Sequence, residues 1–183
     1  MKELSLNILD IAQNSVKAGA SLIEILLTET PETLTIRIVD NGCGMTAAQV
    51  ESVMDPIFTT RTTRSVGLGV PLLKLAAEQT GGSVEIVSSA QAEDHGTAVT
   101  ALFNKNHIDF TPLGDIISTV TALIQGAPGI DWQFVHSRGG DAVTLDTREL
   151  RAVLGDVPMD QYDVMQWIGE YLREGYAALP ACE

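Results

Sequence analysis

Apolar and polar residues follow distinct periods along the first part of the chain, and these periods predict a helix followed by two strands. Residues 4–18 carry apolar side chains three and four positions apart, the pattern of an amphipathic helix, and Gly19 ends it. Residues 22–28 and 34–39 are strongly apolar, and Pro31 lies in the turn between them. We expect an antiparallel pair of strands packed against the helix.

The next stretch predicts two helices and two more strands. Thr46 and Gln49 have the spacing of a capping box, which starts a short helix. Pro71 fits the first position of a second helix, because a backbone N–H would have no partner there. Residues 83–88 and 97–103 then read as strands joined by a polar loop. This order of elements predicts an α/β fold, a two-layer sandwich with helices on one face of a mixed sheet.

The character of the chain changes after Asn104. A helix, a hairpin around Gly139 and Gly140, and a last helix give an α-β-β-α order. These elements are predicted at residues 113–125, 131–136, 142–146 and 161–178. We therefore expect one domain over residues 1–104 and a small interaction module over residues 105–183.

Composition and charge narrow the classes of function. The chain has 183 residues, of which 45% are hydrophobic, enough for one good core and a small second one. Its net charge of −13 leaves no cluster of Lys and Arg to neutralise phosphates, so we expect no nucleic acid partner. Cys43 and Cys182 have no neighbouring cysteine, which predicts free thiols in a reducing compartment. No signal peptide or long apolar run is visible, so the sequence predicts a cytoplasmic protein without a membrane segment.

A turn directly after the second strand carries the first candidate chemistry. Asp40 stands at the strand end, and Gly42 and Gly44 follow it. The carboxylate can accept a hydrogen bond from the exocyclic amine of a purine, while the glycines let the backbone approach a flat ring. Such a turn also closes many ordinary hairpins, so on its own it leaves both interpretations open.

Three other segments accompany this turn in a fixed order, at residues 6–20, 55–70 and 95–97. Together the four segments resemble the GHKL (Bergerat-fold) ATPase superfamily, which holds gyrase, the mismatch-repair ATPase MutL, the ninety-kilodalton chaperone and the histidine kinases. The resemblance covers residues 4–103 and is greatest to stand-alone histidine-kinase-like ATPase domains. Four ordered segments are far more specific than any one of them. The resemblance implies that the chain binds ATP.

The resemblance also implies roles for individual residues. Asn14 would hold Mg²⁺ together with the ATP phosphates, which suits an ion that keeps most of its water. Asp40 would accept the adenine amine with Thr97 beside it, while Phe58 would anchor a lid from which Arg61 or Arg64 could reach the phosphates. The residues implied to bind ATP are Asn14, Lys17, Asp40, Gly42, Gly44, Phe58, Arg61, Gly67, Leu68, Gly69 and Thr97.

Asp10 departs from the family pattern at the position four residues before Asn14. Gyrase-like and MutL-like members carry Glu there as the general base for the attacking water, and histidine kinases usually carry Asn. Asp10 can accept a proton, so we predict it as the catalytic residue, but its side chain is one methylene shorter than that of Glu. We therefore expect any hydrolysis to be slow.

Two classes of function follow from these residues. In the first, the chain is a regulatory ATPase or protein kinase in signal transduction that phosphorylates a partner protein. In the second, it is a non-catalytic module in which Mg·ATP closes a lid and changes the affinity for a partner. No phosphoacceptor domain precedes the first helix, so the sequence favours a stand-alone regulator over a conventional sensor kinase. The sequence does not identify the partner protein, and it allows the chain to form a homodimer.

Overall fold

The computed structural model describes residues 3–55 and 68–182. The helices in these ranges are α1 (Leu4–Lys17), α2 (Ala47–Met54), α3 (Gly69–Gln79), α4 (Ile116–Gly126), α5 (Thr147–Leu154) and α6 (Tyr162–Ala178). The strands are β1 (Leu22–Glu29), β2 (Thr33–Asp40), β3 (Ser83–Gln91), β4 (Asp94–Asn104), β5 (Asp131–Arg138) and β6 (Asp141–Asp146). None of these helices is long and apolar enough to cross a membrane.

One mixed sheet organises the molecule. Its strands lie in the order β3-β4-β2-β1-β5-β6. The β1–β5 pair is parallel, and every other neighbouring pair is antiparallel. Alternate residues of β1 and β2 are buried, so one face of the sheet is covered. Helices α3, α1, α4 and α6 contact one another in that sequence across the covered face. The α/β fold predicted from the sequence is confirmed.

The core lies between α1 and the central strands. Ile25 of β1 stands opposite Ile38 of β2, and Leu27 stands opposite Ile36. All four side chains are almost completely buried, and each such burial stabilises the fold by about 1.5–3 kcal/mol. Helix α1 covers them with an apolar stripe, whose buried members include Leu4, Ile8, Ile11 and Ala12. This packing fixes the last turns of α1 next to the end of β2, where the predicted site lies.

The structure corrects several predicted elements. Strands β3 and β4 extend to Gln91 and from Asp94, into the predicted polar loop, and α4 begins at Ile116 and not at residue 113. Helix α3 begins at Gly69, so Pro71 is its third residue and not its first. The proline is still accommodated, because the N–H groups of the whole first turn lack intrahelical partners. Helix α5 was not predicted, and the Asp146 side chain caps it by accepting from the Arg148 N–H. The strands of residues 105–183 extend the same sheet, and the division into two domains at residue 104 stays a prediction.

A partly buried ionic cluster fastens β5 and α6 to β1, at the end of the sheet remote from Asp40. The Glu29 carboxylate accepts from Lys105 Nζ at 2.7 Å and from Arg138 Nε at 3.0 Å. His136 Nε2 lies 3.0 Å from the same carboxylate, and His136 Nδ1 lies 2.7 Å from the Tyr176 hydroxyl. Every polar side chain of the cluster therefore has a partner.

Burial and charge together set the protonation of this cluster. Burial lowers the pKa of His136 below its ordinary 6.5, so its ring is neutral near pH 7. Burial alone would raise the pKa of Glu29, but the hydrogen bonds from Lys105 and Arg138 together outweigh it and hold that pKa below 4.5. A neutral His136 donates from Nε2 to Glu29 and accepts at Nδ1 from Tyr176.

Candidate functional site

Asp40 is held in place by hydrogen bonds to both of its carboxylate oxygens. The residue ends β2 on the covered face of the sheet, opposite Thr97 of β4 and Ile23 of β1. Ser15 Oγ donates to Oδ2 at 2.6 Å, and the Gly42 N–H donates to Oδ1 at 2.8 Å. A carboxylate accepts about four hydrogen bonds, so lone pairs remain for a ligand. The carboxylate is thus oriented before any ligand arrives.

The turn after Asp40 is closely packed, and its glycines are required by that packing. Gly44 has a positive φ of 70°, and a Cβ added there would overlap the carbonyl oxygen of Ser89. A Cβ at Gly42 would lie 2.8 Å from the Ala18 side chain. His95 Nδ1 lies 2.6 Å from the Gly42 carbonyl oxygen and secures the turn from β4. The backbone therefore runs close against the end of α1.

Thr97 belongs to a hydroxyl pair across β3 and β4. Its Oγ1 lies 2.8 Å from Ser88 Oγ, which also accepts from the Met45 N–H at 2.8 Å. Thr97 lies beside Asp40, as the family resemblance implies, but the side chain that bonds Asp40 directly is Ser15. A water bridge from Thr97 to Asp40 stays a prediction.

A cavity of about 290 Å³ opens beside these polar groups. Five of the residues implied to bind ATP line it, namely Asn14, Lys17, Asp40, Gly44 and Thr97. The remaining wall is largely apolar and includes Ile11, Met45, Val53, Val70, Ile86 and Val99. An apolar slot with a fixed carboxylate inside it suits a flat heteroaromatic ring that carries a hydrogen-bond donor.

Helix α1 places the other predicted residues along one edge of this cavity. Asn14 is half-buried and Lys17 is exposed, one turn farther along the helix. Asp10 lies one turn before Asn14 and does not line the cavity. A Cβ added to Gly69 at the start of α3 would lie only 3.0 Å from the Asp10 Cβ, so α3 begins directly against Asp10.

Four of the predicted site residues lie in the described part of the chain but do not line the cavity. Gly42 acts through its N–H on Asp40, and Gly69 and Leu68 lie at the start of α3, where Leu68 is exposed. Asp10 is the fourth. Phe58, Arg61 and Gly67 fall outside the described residues, so their roles stay predictions.

The donors at this site suit a magnesium ion that takes most of its ligands from elsewhere. Within residues 3–55 and 68–182, no group of three or more His, Cys, Asp or Glu side chains is arranged to hold a metal. The Asn14 amide oxygen is a single hard donor at the cavity wall. Mg²⁺ bound with phosphates and water needs no more from the protein.

Three polar residues of the site were missed by the sequence analysis. Ser15 lies at the helical spacing of the buried residues of α1, and a hydroxyl at such a position is a signal that it faces a polar partner. Ser88 and His95 gave no comparable signal, because their roles depend on the pairing of β3 with β4 and on the turn packing. His95 lies in the segment 95–97 that carries the family resemblance, but its contact with the Gly42 carbonyl oxygen was not predicted.

Curated proteins similar to the chain are bacterial sensor and sporulation kinases. Sporulation kinase B of Bacillus subtilis (strain 168) is 30% identical over 100 residues, which cover 55% of this chain and 22% of the kinase. A probable C4-dicarboxylate sensor kinase of the same organism is 30% identical over 89 residues, 49% of this chain and 16% of the kinase. The chain thus spans less than a quarter of each of these two relatives.

A solved structure shares the fold over most of the chain. The N-terminal domain of a DNA repair protein aligns with a TM-score of 0.56 and 16% identity, covering 87% of this chain and 59% of that one. A family model described as histidine kinase-, DNA gyrase B- and HSP90-like ATPase matches residues 2–107, which include every predicted site residue. The chain therefore belongs to the histidine kinase-, DNA gyrase B- and HSP90-like ATPase family.

Proposed function

We propose that the chain binds Mg·ATP in the cavity between α1, α2, α3 and the sheet. The observation that carries this proposal is the Asp40 carboxylate, fixed at both oxygens by Ser15 and Gly42 within an apolar slot. The adenine ring would lie between the aliphatic side chains, and its exocyclic amine would donate to Asp40. The phosphates would extend toward Asn14 and Lys17.

With ATP placed in this way, three kinds of positive charge would lie near its phosphates. Lys17 would contact phosphate as a point charge. Mg²⁺ held between Asn14 and the phosphates would offset phosphate charge. Arg61 or Arg64 would contribute from the segment that follows α2. Family membership supports this assignment, because its namesakes are ATPases.

We infer further that the chain is a regulatory ATPase or a protein kinase that phosphorylates a partner protein. In this reaction an acceptor oxygen of water, or a Ser or His side chain of the partner, attacks the γ-phosphorus. The bond from the γ-phosphorus to the β–γ bridging oxygen breaks, ADP leaves with that oxygen, and Asp10 takes the proton of the attacking group. The kinase relatives support phosphoryl transfer. A cytoplasmic signalling role is part of the same proposal.

A second candidate function is a non-catalytic switch, and the position of Asp10 favours it. Asp10 does not line the cavity, and its side chain is one methylene shorter than Glu. In this case Mg·ATP would close the lid of residues 56–70 and so change the affinity for a partner, with hydrolysis slow or absent.

Asp10 separates the two candidates in a single experiment. The purified chain is incubated with ATP labelled at the γ-phosphate, alone and with cell extract, and released phosphate and labelled proteins are followed. If Asp10 is the base, Asp10→Asn lowers turnover by about 10²–10⁴-fold and leaves ATP affinity unchanged. Asp10→Glu should preserve or raise the rate of ATP turnover. If the wild-type chain binds ATP but does not turn it over, the proposal of an enzyme is refuted and the proposal of a non-catalytic switch remains.

A further inference from the structure

The last strand of the chain lies at an edge of the sheet. Strand β6 is terminal in the strand order, and among the described residues β5 is the one strand that pairs with it. A strand in this position presents N–H and C=O groups to whatever lies beside it. An extended segment of another chain can add to such an edge by ordinary sheet hydrogen bonds.

A groove with both apolar and polar walls lies against this edge. We call it the edge groove and define it by Leu145 of β6, Leu150 and Val153 of α5, and Trp167 and Tyr171 of α6. Its volume is about 300 Å³, which accommodates one or two large side chains. Val153 is 86% exposed, Trp167 48% and Tyr171 40%. Exposed apolar side chains grouped in this way mark an interaction site more often than a scattered exposed residue does.

Two aromatic rings of the edge groove are already arranged for contact. Trp167 and Tyr171 stack with their ring centroids 5.2 Å apart and their planes inclined by 17°. Because each ring restrains the other, these two side chains lose little freedom when a ligand packs on them. Trp and Tyr are also the side chains that most often dominate the affinity of protein interfaces.

The charges around the β6 edge bear on whether its occupant is a second copy of the chain or a segment of another protein. Asp141 and Asp146 stand at the two ends of β6, and Glu149 lines the edge groove. Asp146 is paired with Arg148 at 2.7 Å, whereas no described cation pairs with Asp141 or Glu149. A second copy added antiparallel would set Asp141 opposite Asp146 of its neighbour, a destabilising pair of like charges. The net charge of −13 opposes self-association as well.

We propose that the β6 edge and the edge groove bind an extended, basic segment of a partner protein. The segment adds one strand to the sheet beside β6, places an aliphatic or aromatic side chain on the Trp167–Tyr171 stack, and sets Lys or Arg side chains against Glu149 and Asp141. This inference deepens the proposed function and rests on it for the existence of a protein partner. It does not require nucleotide for the contact itself.

The test uses a phage-displayed library of random decapeptides, panned against the full chain without nucleotide. Enriched peptides are synthesised, and their affinities are measured by fluorescence anisotropy at about 0.15 M salt, where attraction beyond about 8 Å is screened but direct contacts with Glu149 are kept. We expect peptides that combine Lys or Arg with an apolar residue. Trp167→Ala should weaken binding by at least about tenfold and Glu149→Lys by about fivefold.

Two further variants guard against trivial explanations. Trp167→Phe keeps an aromatic ring and should retain most of the affinity, which separates loss of the stack from loss of folding. Leu75→Ala changes a similarly exposed apolar residue on α3 and should alter affinity less than about twofold. Hydrogen exchange of β6 amides should slow when the peptide binds, as expected for an added strand.

Several results would overturn the proposal. A library that yields no binder, or binders that are acidic or indifferent to Trp167→Ala, refutes it. So does concentration-dependent dimerisation that Trp167→Ala abolishes, because the occupant would then be a second copy. ADP affinity is measured in the same variants. If a variant loses peptide binding but keeps its ADP affinity, the substitution has affected only the edge groove. If a variant loses ADP affinity but keeps peptide binding, the substitution has affected only the nucleotide site.

Discussion

Replacing Asp40 by Asn tests the residue on which adenine recognition depends. In the variant, the amide oxygen would keep the bond from the Gly42 N–H, because the opposite orientation would set two donors against each other. The amide NH₂ would then face Ser15, whose hydroxyl accepts as well as donates. The fold thus retains both local hydrogen bonds, and we expect it to lose at most about 1.5 kcal/mol of stability.

Nucleotide binding has no such rearrangement available. The adenine amine is a donor, and in Asp40→Asn it meets an amide NH₂ or must share the one oxygen already taken by Gly42. The loss of a charge-assisted bond and the mispaired buried donor together cost about 2–4 kcal/mol. This corresponds to an increase in the Kd for ADP of roughly 30-fold to 1,000-fold.

Isothermal titration with ADP measures the change, and thermal unfolding checks that the variant is folded. Asp156→Asn is the matched control, because it makes the same substitution at an exposed position in the turn after α5. Its Kd should equal that of wild type. If folded Asp40→Asn binds ADP within about threefold of wild type, Asp40 does not contact the base and the reasoning is refuted.

Two other perturbations address the metal and the ionic cluster. Asn14→Ala should weaken ATP binding about tenfold or more in Mg²⁺ but change metal-free ADP binding little, and equal losses would make Asn14 structural. Because burial lowers the pKa of His136, the unfolded chain binds more protons below pH 6.5. Stability to urea should therefore be full above pH 6.5 and fall as the pH is lowered below it. His136→Gln should flatten that fall, and an unchanged slope would contradict the assignment.

Local signals in the sequence predicted much of the fold. Thr46 and Gln49 predicted a capping box, and both of its hydrogen bonds are present. Gly19 ends α1 with a positive φ, as expected. These features succeed because each depends on residues within a few positions of one another.

Features that depend on distant pairing were not predictable in the same way. Nothing local shows that β5 lies parallel to β1, because that register joins segments more than a hundred residues apart. Helix α5 was missed because it is only eight residues long and rich in charged side chains, although Asp146 caps its start. In the site, Asp40 was found through its strand end and glycines, whereas Ser15 needed the tertiary contact.

The central claim is that Asp40 reads the amine of adenine, and the direct measurement compares ADP with inosine diphosphate. The base of inosine diphosphate carries a carbonyl oxygen at the position where adenine carries its exocyclic amine. A carboxylate fixed by Ser15 and Gly42 would repel that oxygen, so ADP should bind to the wild-type chain at least about tenfold more tightly. Equal affinities, or no binding of ADP, would contradict the account.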